Sequence, residues 1–189
     1  MRMASDILGN RRTQIMARGY LEALARDSRE TVILVTLNQK SRTITYVEVV
    51  DGSQSVRFSV PVGSVRPIYS TAAGRVLLAF APKEFRDGYL KAEKLRQLTP
   101  DTPTDLKALR KRLEELPAKG YDISLGDTVE DVGGLSAPIR DPDGNVAVAL
   151  LLTGPLSRIK RDLQRLIPMV QDTAAKLSGE YTQTYRAIP

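Results

Sequence analysis

An α+β fold, with an antiparallel sheet flanked by helices, is what three features of this sequence predict. Two separate stretches rich in β-branched and apolar residues each double back over a short polar turn, and strands joined by tight turns pair antiparallel. A charged, leucine-striped segment that reads as helix lies between those stretches, so the strands do not alternate with helices as a parallel sheet requires. Apolar residues recurring every three or four positions open and close the chain, which is the pattern of helices packed on a core.

The elements follow in order. Residues 5–28 place Ile7, Leu8, Ile15, Met16, Tyr20, Leu21 and Leu24 mostly on one helical face, with Gly9-Asn10 as an interruption. Residues 31–37 and 43–50 read as a hairpin around Asn38-Gln39-Lys40-Ser41. Asp51-Gly52 then turns the chain into a third strand near residues 56–60, stopped by Pro61 and Gly63. A helix is expected over 71–80, with Pro82 just beyond it. Asp101-Thr102-Pro103-Thr104 starts another helix, striped by Leu106, Leu109, Leu113 and Leu116 and ended by Gly120. Residues 121–124 read as a short strand. Residues 135–140 and 146–153 are strands joined by Asp141-Pro142-Asp143-Gly144, whose residue types favour a tight turn. After Gly154-Pro155, the spacing of Leu163, Leu166, Ile167, Val170, Ala174, Leu177 and Tyr181 predicts a long helix, with Pro168 at a kink or in its first turn.

Composition excludes several chemistries. The 189 residues contain no Cys and no His, which removes disulfides, thiolate metal sites, and the commonest general base and metal ligand. No nucleophile elbow, phosphate-binding glycine loop or zinc-protease motif occurs, so neither an enzyme nor a cofactor is expected. No apolar leader or membrane-spanning run is legible, and a cytoplasmic location is the expectation. The net charge of +6 sits largely on sign-alternating helical segments such as Lys107, Arg110, Lys111, Arg112, Glu114 and Glu115. That arrangement reads as a solvated helix face, not a phosphate-binding track. Asp127, Glu130 and Asp131 form the one acidic cluster, but too few oxygen ligands alternate there for a calcium loop, and no metal is expected.

Two regions have the composition of a binding site. Ser70 to Gly74 are small residues at the expected start of a helix, where free N–H groups and a positive dipole receive an anion. Equally, such residues let a helix pack closely on a sheet. Residues 132–138 and 149–155 mix small, hydroxyl and apolar side chains, which suits the lining of a mostly apolar pocket. The same mixture also suits an ordinary sheet core.

Together these stretches resemble the effector-binding domain of IclR-type bacterial transcriptional regulators. Thr71-Ala-Ala-Gly-Arg-Val-Leu-Leu-Ala79 is similar to the family's Thr-Ala-x-Gly-Lys-x-Leu-Leu-Ala, with Arg75 where the family has Lys. Gly120-Tyr121, the acidic loop 127–131, Ser136-Ala-Pro-Ile139, Asp141-Pro-Asp-Gly144 and Thr153-Gly-Pro155 follow in the family's order. The resemblance implies a GAF-like sensor that binds a small metabolite, often an organic or aromatic acid, and that pairs as a homodimer or a dimer of dimers.

It also implies which residues meet the effector: Phe58, Ala72, Ala73, Ser124, Val132, Gly134, Leu151 and Thr153. Ala72 and Ala73 would offer backbone N–H groups and Thr153 a hydroxyl, with Phe58, Val132 and Leu151 as apolar walls. Ser124 and Leu151 replace more polar residues of some members, and Gly133-Gly134 replaces bulkier ones, so a less polar, roomier pocket is expected. Residues 1–28 match the family's linker helix and 29–189 its effector-binding domain. The winged helix-turn-helix that would contact DNA is absent from this chain. A stand-alone sensory domain acting through protein contacts is the alternative.

Overall fold

A computed structural model describes residues 11–186, with side chains over 15–183. Helix α1 (Arg11–Ser28) leads into a hairpin of β1 (Thr31–Asn38) and β2 (Thr43–Val50), followed by β3 (Val65–Pro67). Helices α2 (Ala72–Ala79), α3 (Lys83–Ala92) and α4 (Leu106–Lys119) come next. Strands β4 (Asp122–Leu125), β5 (Val132–Arg140) and β6 (Val146–Pro155) complete the sheet, and α5 (Leu156–Arg186) closes the fold. All six strands pair antiparallel in the order β3-β2-β1-β6-β5-β4, which is the α+β class read from the sequence.

Alternation along β6 divides the core in two, because successive side chains leave a strand on opposite faces. Val148, Leu150 and Leu152 join Leu21, Leu24, Leu166, Val170 and Leu177 beneath α1 and α5. Ala149 and Leu151 join Ile33, Ile44, Val76, Leu77, Leu109 and Leu113 beneath α2, α3 and α4. The expected C-terminal stripe is buried at Leu166, Val170, Ala174, Leu177 and Tyr181. Because α5 starts at Leu156, Pro168 falls in its interior and not in its first turn.

The Asp141 turn is built as its residue types foretell. The Asp141 carboxylate accepts from the backbone N–H of Asp143 at 3.0 Å and of Asn145 at 2.8 Å, and Gly144 takes a positive φ of 82°. Three expectations need correction. Residues 56–60 are not a strand: the third strand is the short Val65–Pro67, and Val60 is instead drawn into the core. The helix expected from residue 101 begins at Leu106, after Asp105 caps it by accepting from the N–H of Lys107. Residues 99–102 are a turn whose Thr99 and Thr102 hydroxyls donate to the carbonyls of Gly126 and Asp127. Arg112 is not simply solvated, because it turns inward to Asp122. The Gly9-Asn10 interruption lies outside the described residues.

Candidate functional site

A pocket partly open to solvent lies on the α2 side of the sheet. Several separated parts of the chain build it. Thr71 is the N-cap of α2: its hydroxyl accepts from the N–H of Gly74 at 3.0 Å. The N–H groups of Ala72 and Ala73 are left without an intrahelical acceptor, as at any helix start. Gly74 is required here, since a Cβ would run into the Ile68 backbone on which the helix sits. The small residues therefore do serve close packing, and in doing so they set the end of α2 against the cavity.

Phe58 reaches the cavity from an irregular segment. Its carbonyl accepts from the Thr31 hydroxyl at 2.6 Å, and Thr31 in turn accepts from the N–H of Gly52 at 3.2 Å. Strand β6 contributes Leu151 and Thr153, two residues apart and so on one face. Gly134 of β5 pairs with Thr153 of β6 and with Ser124 of β4. A Cβ on Gly134 would lie 3.3 Å from Leu151 Cδ1, so its absence leaves space on the cavity side. The Thr153 hydroxyl donates to Gly133 O at 2.9 Å, and that of Thr128 to Ser70 O at 2.8 Å. Each oxygen keeps acceptor capacity toward the cavity.

Phe58, Ala72, Ser124, Val132, Gly134, Leu151 and Thr153 all line this one cavity. Ala73 does not: the residue is fully buried in the core beneath α2. The lining also contains Tyr46, Arg66, Thr71, Thr128, Val129 and Gly133, which were not among the candidates. The capping role of Thr71 was legible beside the small-residue stretch. Tyr46 lies on a strand with no local mark of a ligand. Burial pushes its phenol up from the ordinary range while nearby Arg66 pulls it down, so it is neutral near pH 7 and able to donate.

Beneath the cavity an ion cluster fixes β4 to α2. Arg75, wholly buried, meets Asp122 at 2.5 Å and Asp127 at 2.9 Å, and donates to the carbonyls of Tyr69 and Ile123. Arg112 meets the other oxygen of Asp122 at 2.8 Å. Asp127 also accepts from the Leu125 N–H at 2.9 Å. Its carboxylate is thus committed to structure, while Glu130 and Asp131 are exposed. Among the described residues, no group of three or more acidic, His or Cys side chains is placed to hold a metal.

Residues 6–179 match the family described as bacterial transcriptional regulator IclR C-terminal. The chain belongs to this family. KipR of Bacillus subtilis, an HTH-type transcriptional regulator, is 29% identical over 170 residues, 89% of this chain and 67% of KipR. The HTH-type transcriptional repressor AllR of Salmonella typhimurium is 30% identical over 179 residues, 93% of this chain and 64% of AllR. A crystal structure of an IclR homologue from Microbacterium hydrocarbonoxydans, complexed with 4-hydroxybenzoate, has a TM-score of 0.81 at 25% identity. That match covers 96% of this chain and 74% of the homologue. The IclR relatives are transcriptional regulators and not enzymes, and the chain spans about two thirds of their length. No helix among the described residues is long and apolar enough to cross a membrane.

Proposed function

We propose that this IclR-type domain binds a small organic or aromatic acid in the cavity beside α2, and that binding controls DNA recognition by the intact regulator. The observation that carries the reading is convergence. Seven residues drawn from the 58 segment, α2, β4, β5 and β6 meet around one space, although they span almost a hundred positions of sequence. Apolar walls with a few hydroxyls and a helix start are the composition of a small-molecule site. The homologue solved with 4-hydroxybenzoate supports an effector of that class.

In this reading residues 1–28 link residues 29–189 to a winged helix-turn-helix module, and the cytoplasmic regulator works as a homodimer or a dimer of dimers. The effector acts by binding one arrangement of the paired domains more tightly than the other, since equal affinity would shift nothing.

Thermal unfolding of the domain with benzoate, 4-hydroxybenzoate and short aliphatic carboxylates tests the site. A ligand at about 100 times its dissociation constant stabilises by about 2.7 kcal/mol. Thr153→Leu should abolish that gain by filling the cavity. Stabilisation that survives Thr153→Leu unchanged would place the ligand elsewhere.

A further inference from the structure

Among the described residues Arg66 is the single charged side chain lining the cavity, and no carboxylate lines it. The β2–β3 register sets Arg66 directly opposite Ile44, which is fully buried in the core beneath α2. Residues directly opposite in neighbouring strands share a face, so this edge-strand arginine is turned toward the cavity. Its guanidinium stands 5.9 Å from the centroid of the Tyr46 ring, and one N–H donates to Val65 O at 2.9 Å.

The contrast with the other inward-turned arginines is informative. Arg75 is neutralised by Asp122 and Asp127, and Arg158 by Glu30. Arg66 makes no ion pair among the described residues; its one polar bond is to a neighbouring carbonyl. A guanidinium with unused donors at the wall of an acid-free pocket favours an anion over a neutral group of equal shape. Its planar fork matches the two oxygens of a carboxylate, and the Tyr46 face restricts where that fork lies.

We infer that Arg66 is the residue by which this pocket selects anionic effectors over neutral molecules of the same shape. The inference rests on the small-acid reading above and assigns its charge specificity to one side chain. A primary amide is the informative competitor: it keeps the shape of the acid but presents N–H donors where the guanidinium needs an acceptor, and it carries no charge.

The test measures binding of three matched pairs, benzoate and benzamide, 4-hydroxybenzoate and 4-hydroxybenzamide, butyrate and butyramide, by calorimetry. The proteins are the unsubstituted domain, Arg66→Met, Arg66→Lys and Thr153→Leu. An acid should bind the unsubstituted domain about ten-fold or more tighter than its amide, the scale of one charge-assisted hydrogen bond. Arg66→Met should erase that ratio by weakening the acid and leaving the amide unchanged, while Arg66→Lys should keep part of it. Ligand-free melting of the Arg66 variants reports whether the fold is intact.

An acid whose binding is lost in Thr153→Leu yet unaltered in Arg66→Met would overturn the role of Arg66 and leave the pocket assignment standing. An amide that binds as well as its acid would do the same. Binding that neither substitution touches, or no binding by any of the six compounds, would overturn the pocket reading and the role of Arg66 together.

Discussion

Arg158 grips Glu30 with both arms of its guanidinium, Nε to Oε1 at 2.6 Å and Nη2 to Oε2 at 2.9 Å. Nη2 also donates to Val56 O at 2.8 Å. Glu30 stands two residues past α1 and is buried over Gly154, where a Cβ would collide with its carboxylate. One ion pair thus joins the end of α1, the first turn of α5 and the segment that carries Phe58 into the cavity. A displacement of Phe58 by a ligand would be felt at the foot of α1 through this pair and through the Thr31 hydroxyl.

Removing one partner of this pair leaves a largely buried charge alone, which costs about 3 kcal/mol. Glu30→Gln and Arg158→Met should each lower the urea midpoint accordingly. The double substitution should cost less than the sum of the two, because neither charge is then stranded. Strict additivity in a double-mutant cycle would show that the two side chains act separately.

Arg75 and Asp122 predict an order of severity. Four acceptors surround the Arg75 guanidinium: two carboxylates and the carbonyls of Tyr69 and Ile123. Lys supplies the charge without the fork, so Arg75→Lys should be milder than Arg75→Met. Arg75→Met strands the wholly buried Asp122 beside only Arg112 and should cost about 3 kcal/mol or more. Equal losses in Lys and Met variants, measured by chemical denaturation, would mean that geometry and not charge holds β4 to α2.

Alkaline stability follows from the tyrosines beneath α2. Burial raises the phenols of Tyr46 and Tyr89 above their ordinary value, most strongly at Tyr89. A raised folded-state value means that stability is fully present below the unfolded value of about 10 and is lost as pH climbs toward the folded one. Each such phenol removes about 1.4 kcal/mol per pH unit across that window. Unfolding free energies measured between pH 9 and 12 should fall, and Tyr89→Phe should flatten the fall. An unchanged slope in Tyr89→Phe would show that another group controls alkaline unfolding.

What the sequence made legible was local in origin. Periodicity located both hairpins, the leucine stripe of α4 and the long C-terminal helix, and the Asp141 turn follows from its residue types. The third strand was misplaced because residues 56–60 mimic alternation, whereas three residues at Val65–Pro67 are too few to show a period. That error hid Arg66, whose inward face depends on pairing with β2. Phe58 was placed at the site by resemblance, yet it is held there by Thr31, 27 residues away. Arg75 and Asp122 are 47 positions apart, and Arg158 and Glu30 are 128. Nothing local marks an arginine as one half of such a pair, so these groups had to be read from the fold.

Two adjacent glycines separate packing from binding. A Cβ on Gly133 would lie 2.7 Å from Ile159 Cβ, on the α5 side, where neither atom can rotate away. On Gly134 it would approach Leu151 Cδ1 at 3.3 Å, the far end of a flexible side chain on the cavity side. Overpacking of the first kind costs about 1–3 kcal/mol, so Gly133→Ala should melt well below the unsubstituted domain. Gly134→Ala should keep nearly full stability but narrow the cavity, weakening 4-hydroxybenzoate more than butyrate because a ring needs the width. If Gly133→Ala melts normally, β5 and α5 have room to part. If Gly134→Ala binds both acids as before, ligands do not reach the β5 wall, and the site shrinks to the start of α2 and its surroundings.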